Sequence, residues 1–298
     1  MGGVRRWLAS ITFVLATVAG FGTQGSPPAA GEPGATVVRP YVLEVPEGYD
    51  GSRLIPLVVL LHSYGSNGSA QNAHFGLSAQ ANRGFLLAYP DGTRDLKGNR
   101  FWNATDACCD FYGSGVDDVA YLDAVLDEIA GQYRVDPARV YLVGHSNGAF
   151  MAHRYACERA GRVAAIVTLA GMQWKDPRSC GALGLSSPVS VLHVHGRNDL
   201  SIRYQGGSTS QGTYPGAAET VATWAGKNGC GGDLVAPGQR MDLDTTVAGE
   251  ETTVDRYGGC GGVDVELCTI GQGRHVPDFN HRWAPAIWEF MVAHPKAR

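Results

Sequence analysis

Charged residues are scarce in this chain: they make up 17% of its 298 residues, and the formal balance is −4. Soluble proteins usually carry about 25%. There is no basic run and no block of like charge, which excludes a nucleic-acid binder and a charged interaction tail. Long apolar runs are missing too. The longest, from Trp7 to Phe21, spans roughly 15 residues, short of the ~20 that cross a bilayer, so stable membrane insertion is not expected. The cysteines never form a C-x-x-C with a histidine partner, so a zinc site is not expected. Repeats are absent as well: the 41 glycines are scattered without a period, unlike those of collagen or a solenoid.

The amino terminus does contain an export pattern. Arg5 and Arg6 precede the apolar run, and small or turn-forming residues follow it through Gly34. A positive region, a short apolar region and a cleavage zone beginning near Gly20 make a secretory signal. Residues 1–26 are read as the signal peptide, 27–36 as a disordered Pro/Gly/Ala leader, and 37–298 as one folded, monomeric, secreted domain. Seven cysteines, all beyond the signal, suit an oxidising destination. Cys157 is expected to pair with Cys180 and Cys230 with Cys260. Cys108, Cys109 and Cys268 share a third bridge, and the odd count leaves a thiol over.

Strand and helix patterns alternate along this domain. Val37–Leu43 alternates like an edge strand, while Pro56–His62 and Gly84–Pro90 are apolar throughout, as strands buried on both faces are. A helix is predicted over 116–133, with Val119, Leu122, Leu126 and Ile129 on one face and Asp117 and Asp118 in its first turn. Strands follow at 140–143, 163–170, 189–195 and 263–270, and helices after residue 146, near 217–226 and at 284–293. That order predicts a mostly parallel sheet with helices on both faces. Asn67-Gly68-Ser69 and Asn103-Ala104-Thr105 match glycosylation sequons.

The chemistry centres on Val140-Tyr141-Leu142-Val143 running into Gly144-His145-Ser146-Asn147-Gly148 and then an Ala-rich helix. A strand that turns into a helix through G-x-S-x-G is the nucleophile elbow of the α/β-hydrolase fold. A serine hydroxyl needs a base to take its proton, and the base needs an anion to orient it. In this fold they follow in the order Ser, Asp or Glu, His, on loops at the carboxyl ends of strands. Asp199 stands on the loop after 189–195 and His275 on the glycine loop after 263–270, so Ser146, Asp199 and His275 are the candidate nucleophile, orienting carboxylate and base. His281 is a rival base, next to the last helix. Asp117 and Asp118 precede the serine and suit helix capping. His193 and His195 share a strand face and are assigned to packing under the Asp199 loop rather than to a metal pair. The backbone N–H groups of Asn147 and Tyr64 are the candidate oxyanion hole. His62 and Trp102 are placed at the substrate pocket.

With those residues in hand the sequence resembles the exported esterases of the polyhydroxybutyrate depolymerase and feruloyl esterase group. The likeness rests on Pro56–His62, Tyr89-Pro90-Asp91-Gly92, Trp102-Asn103-Ala104 with Cys108-Cys109, Val116-Asp117-Asp118-Val119, Gly144–Gly148, His195-Gly196 with Asp199, and the glycine loop before His275. It implies an α/β-hydrolase fold, a Ser146–Asp199–His275 triad, and hydrolysis of carboxylic esters without metal or cofactor. The substrates implied are feruloyl or acetyl esters of plant polysaccharide, or short hydroxyalkanoate oligomers. Acyl transfer on the same fold, or ligand binding without turnover, are the alternatives. The chain departs from the group at Ser63, where glycine is usual, and at Arg274 and Val276-Pro277, where small residues and Trp-Pro are usual.

Overall fold

The computed structural model describes residues 39–180, 185–236 and 238–296, together with the backbone of residues 4–10. The expected leader at 27–36 lies outside the described residues.

An eleven-stranded sheet forms the centre. Its strands in chain order are β1 (Val4–Ser10), β2 (Pro40–Pro46), β3 (Ile55–Leu61), β4 (Leu86–Pro90), β5 (Val135–His145), β6 (Ala165–Leu169), β7 (Ser190–Gly196), β8 (Leu234–Val235), β9 (Arg240–Met241), β10 (Thr252–Tyr257) and β11 (Val265–Ile270). Across the sheet they run β1-β2-β4-β3-β5-β6-β7-β11-β10-β8, with β9 also paired to β10. The pairs β4–β3, β3–β5, β5–β6, β6–β7 and β7–β11 are parallel. The outer pairs are antiparallel.

Every residue of β3, β6, β7 and β11 is buried, as continuous apolar strands covered on both faces should be. Alternate side chains feed two cores. The helices begin with α1 (Gly68–Phe75) and α2 (Ser78–Ala81); Leu57, Val59 and Leu61 of β3 join the core under the next three, α3 (Asp118–Gln132), α4 (Asn147–Glu158) and α5 (Ala217–Lys227). Val58 and Leu60 join the opposite one, under α6 (Trp283–Ala293) and Phe75 of the helix at Gly68–Phe75. The expected parallel sheet with helices on both faces is what forms.

Three details differ from the sequence reading. The strand expected at the edge, β2, is second in order, because the backbone of β1 pairs along it. Strand β10 and the helix at Gly68–Phe75 were not expected. Asp117 does cap α3, accepting from Ala120 N–H at 3.0 Å. Asp118, however, is wholly buried: it pairs with Arg39 at 2.5 Å and accepts the Asn103 N–H at 2.6 Å, tying the 91–116 insert to the domain.

Cys157–Cys180 and Cys230–Cys260 are bridged as expected; the third bridge joins the neighbours Cys108 and Cys109, and Cys268 is a buried free thiol. Among the described residues no helix is long and apolar enough to cross a membrane.

Candidate active site

Strand β5 delivers Ser146 at its carboxyl end, directly before α4. The serine has φ 52° and ψ −120°, a left-handed conformation that side chains avoid. Neighbouring glycines make the turn possible. A Cβ on Gly144 would lie 2.3 Å from the Gly148 carbonyl oxygen, and one on Gly148 would lie 2.2 Å from that of Leu61. The elbow thus packs backbone against backbone, and no side chain fits at either flank. Ser146 retains 9% exposure at the amino end of α4.

The two partner loops meet by the same device. A Cβ on Gly196 would come within 2.2 Å of the Gly273 carbonyl oxygen, so the loops after β7 and β11 touch through glycine. Asn198 N–H donates to Gly273 O at 2.9 Å and locks them. Asp199 and His275 are thereby brought to Ser146. His275 Nε2 lies 2.9 Å from Ser146 Oγ, and Nδ1 lies 2.7 Å from Asp199 Oδ2. His281 is exposed and is not brought to the serine.

Asp199 has no accessible side-chain surface. Burial works against its charge, but hydrogen bonds from the neighbouring histidines and the Ile202 N–H outweigh burial and hold its carboxyl below the usual carboxylate range. Its Oδ1 accepts from the Ser201 and Ile202 N–H groups, both at 2.8 Å.

Histidines that sequence reasoning did not use do much of the positioning. His145 Nε2 lies 2.9 Å from the His275 carbonyl, and His74 Nε2 lies 2.9 Å from that of Pro277. Both carbonyls can only accept, so each Nε2 carries the proton and anchors the loop that bears His275. His195, assigned to packing, also touches Asp199, with Nε2 3.2 Å from Oδ2 and 2.8 Å from Ile202 O. His193 lies against Thr168 Oγ1 at 2.9 Å and against His195 at 3.4 Å. Neither is arranged as a metal pair, and among the described residues no group of three His, Cys, Asp or Glu side chains could hold a metal ion.

The oxyanion candidates lie on opposite sides of the elbow. In the loop after β3, Ser63 N–H donates to Gln71 Oε1 at 3.3 Å and Gly65 N–H to Arg100 O at 2.8 Å, while the Tyr64 N–H between them has no such partner among the described residues. The Tyr64 hydroxyl donates to Asp95 and accepts from Asn99 Nδ2 at 3.2 Å. Burial and the Asp95 carboxylate push that hydroxyl up to about 12. Arg274, one of the departures from the resembled group, turns outward to Asp278 at 3.1 Å and is exposed.

Asn147 does more than present an N–H. Its side chain accepts from Trp102 N–H at 2.7 Å and donates to Trp102 O at 2.8 Å. The two residues placed at the substrate pocket are corrected here. His62 and Trp102 are both 0% exposed, so neither has surface for a ligand to touch. His62 accepts Gly92 N–H on Nε2 at 2.9 Å and donates from Nδ1 to Ser63 O at 2.8 Å, while the Trp102 indole donates to His62 O at 3.0 Å. They brace the Ser63–Gly65 loop from behind. Alternating apolar and polar neighbours on the sequence carry no mark of that role.

Similarity to known proteins agrees with this geometry. Feruloyl esterase C of Emericella nidulans is 28% identical over 271 residues, covering 86% of this chain and 84% of that protein. A probable feruloyl esterase C of Aspergillus flavus is 26% identical over 261 residues, with the same coverage of 86% and 84%. The solved acetyl xylan esterase from Aspergillus awamori shares the fold with a TM-score of 0.59 at 16% identity, over 86% of this chain and 94% of that one. Residues 39–217 match the model of the family described as Esterase PHB depolymerase, so this chain belongs to that family of carboxylic ester hydrolases.

Proposed function

We propose that this chain is a secreted serine esterase working through an acyl-enzyme on Ser146. The observation that carries this reading is His275, with one ring nitrogen on Ser146 Oγ at 2.9 Å and the other on Asp199 Oδ2 at 2.7 Å. Asp199 is an acceptor, so Nδ1 holds the proton and Nε2 is free to take the serine's. As Oγ attacks the ester carbonyl carbon, its proton passes to His275 Nε2. The carbonyl oxygen becomes an oxyanion held by the N–H groups of Asn147 and Tyr64. Collapse breaks the ester C–O bond, and His275 returns the proton to the departing alcohol. Water then repeats the sequence: it gives a proton to His275 and bonds its oxygen to the acyl carbon, the bond from that carbon to Ser146 Oγ breaks, His275 returns the proton to Oγ, and the acid leaves.

The substrates are feruloyl or acetyl esters of polysaccharide, or short hydroxyalkanoate oligomers; the names of the relatives and of the family support this range. Residues 1–26 act as a removed export signal, which fits the three disulfides, and the mature protein is a monomer. Removal takes β1 with it and leaves β2 as the edge. Sequencing the amino terminus of exported protein checks this: a chain that still starts at Met1 refutes it.

Product release from methyl ferulate and from soluble 3-hydroxybutyrate oligomers, set against Ser146→Ala, tests the mechanism. The expected loss is about 10⁴-fold or more, as for triad serines elsewhere. Turnover surviving in Ser146→Ala, or lost in His281→Ala but not in His275→Ala, defeats it.

A further inference from the structure

The described residues form a cleft of about 410 Å³ beside the 91–116 insert. Small-molecule sites span roughly 300–1,000 Å³. Ser146 is not in its lining, but three lining residues lie close in the chain to residues packed around the serine. Asp110 lines it, and the next residue, Phe111, packs edge-on against Tyr64 of the oxyanion loop at a centroid distance of 5.2 Å. Asn103 lines it, and the residue before, Trp102, is clamped by Asn147. Trp174 lines it, three residues beyond Gly171, where a Cβ would lie 2.3 Å from the Ser146 carbonyl oxygen.

Three polar side chains of the lining, Asn103, Gln211 and Arg154, are each held by a hydrogen bond that leaves another polar atom without a partner among the described residues. Asn103 donates from Nδ2 to Val116 O at 2.9 Å, which leaves Oδ1. Gln211 donates from Nε2 to Asp110 O at 2.5 Å, which leaves Oε1. Arg154 donates from Nε to Glu158 at 2.8 Å and from Nη1 to Asn103 O at 2.7 Å, which leaves Nη2. Groups so fixed lose little freedom on binding. Half-buried Trp174 adds an indole with no ring partner among the described residues. The charges do not favour an anion, since one guanidinium, already paired with Glu158, stands with Asp106 and Asp110. An acyl chain would meet amide and guanidinium groups. A sugar ring suits both features, with C–H bonds for the indole face and hydroxyls for the fixed amide oxygens and Nη2.

We propose that this cleft binds a neutral sugar unit of the ester's alcohol portion, with Trp174 as the stacking platform and Asn103, Gln211 and Arg154 bonding its hydroxyls. The proposal rests on the esterase reading, and it favours carbohydrate esters over polyester.

The test pairs Trp174→Ala and Gln211→Ala with two substrates that share one acid: its methyl ester and its ester on an oligosaccharide. Expected is a loss of about tenfold in kcat/KM on the oligosaccharide ester, carried by KM, with the methyl ester within about twofold of wild type, as the removal of one stacked or hydrogen-bonded contact predicts. The retained methyl-ester activity also reports that the variants fold. Equal losses on both substrates, no loss on the sugar ester, or a wild type that cleaves the methyl ester alone overturns the cleft. A wild type that cleaves neither refutes the esterase reading instead. The cleft is then judged by calorimetry of Ser146→Ala protein with the unesterified oligosaccharide: heat that disappears on adding Trp174→Ala upholds it, and no heat overturns it.

Discussion

Asp199 sits between two histidines, His275 at 2.7 Å and His195 at 3.2 Å from the same oxygen. The Ile202 carbonyl can only accept, so His195 carries its proton on Nε2. Its bare Nδ1 then accepts from His193 Nε2–H, and His193 Nδ1 accepts from the Thr168 hydroxyl. The other groups against this chain are the Tyr204 ring on His195 and the His153 ring on His193; Arg197 lies over Tyr204. One donor fewer leaves the Asp199 carboxylate less firmly placed against His275. His195→Phe is therefore expected to cut kcat about tenfold with little change in KM. His195→Gln, which returns an N–H near the Nε2 position, recovers most of the loss. An unchanged kcat in His195→Phe makes the contact packing only.

At the scale of elements, the elbow is a junction of three backbones, those of β3, β5 and α4. Because the Gly148 contact is with Leu61 and His62 carbonyls rather than a movable side chain, Gly148→Ala must push β3 and α4 apart. Its expected cost is about 3 kcal/mol of stability, at the upper end for overpacking, read as a lower denaturant midpoint. A midpoint equal to wild type refutes the close approach. The elements that position the site were legible to different degrees. Strand β3 is apolar throughout and β6, β7 and β11 are mostly so, and they announce themselves. Strand β10 does not: Thr-Thr-Val-Asp-Arg-Tyr carries one aliphatic residue and becomes a strand because β11 offers its edge. The helix at Gly68–Phe75 is polar on most of its surface and starts on Asn67, whose side chain accepts Ala70 N–H at 2.9 Å. Its amphipathic signal is too weak to see along the chain.

For the whole molecule, the buried histidines set an acid limit. Burial lowers His62 from 6.5 to about 4, and His145 and His153 to about 3; His193 is likewise well below its ordinary value. Unfolded, each would take a proton below 6.5, whereas folded each stays neutral until its lowered value is reached. The unfolded state therefore binds more protons in that window, and stability falls as pH drops from 6.5 toward 4. His62 alone is expected to cost about 2 kcal/mol between pH 7 and pH 5. Thermal midpoints at the two pH values check this: equal midpoints mean that water reaches these rings.

What the sequence by itself determined is what lies within one stretch of chain. The strand–serine–helix turn and the order Ser146, Asp199, His275 are written in local pattern and glycine placement. Tertiary structure alone decided which side chains face which. It buried His62 and Trp102 behind the Ser63–Gly65 loop, with no surface for a ligand to touch. It turned His74, His145 and His195 into anchors of the two loops that meet at Ser146, and it joined Cys108 to its own neighbour. A buried histidine on a strand end looks the same in sequence whether it fills space, binds metal or holds a carbonyl. Its role depends on which acceptor lies within 3 Å of its ring, and the residues supplying those acceptors come from strands brought together only when the sheet forms.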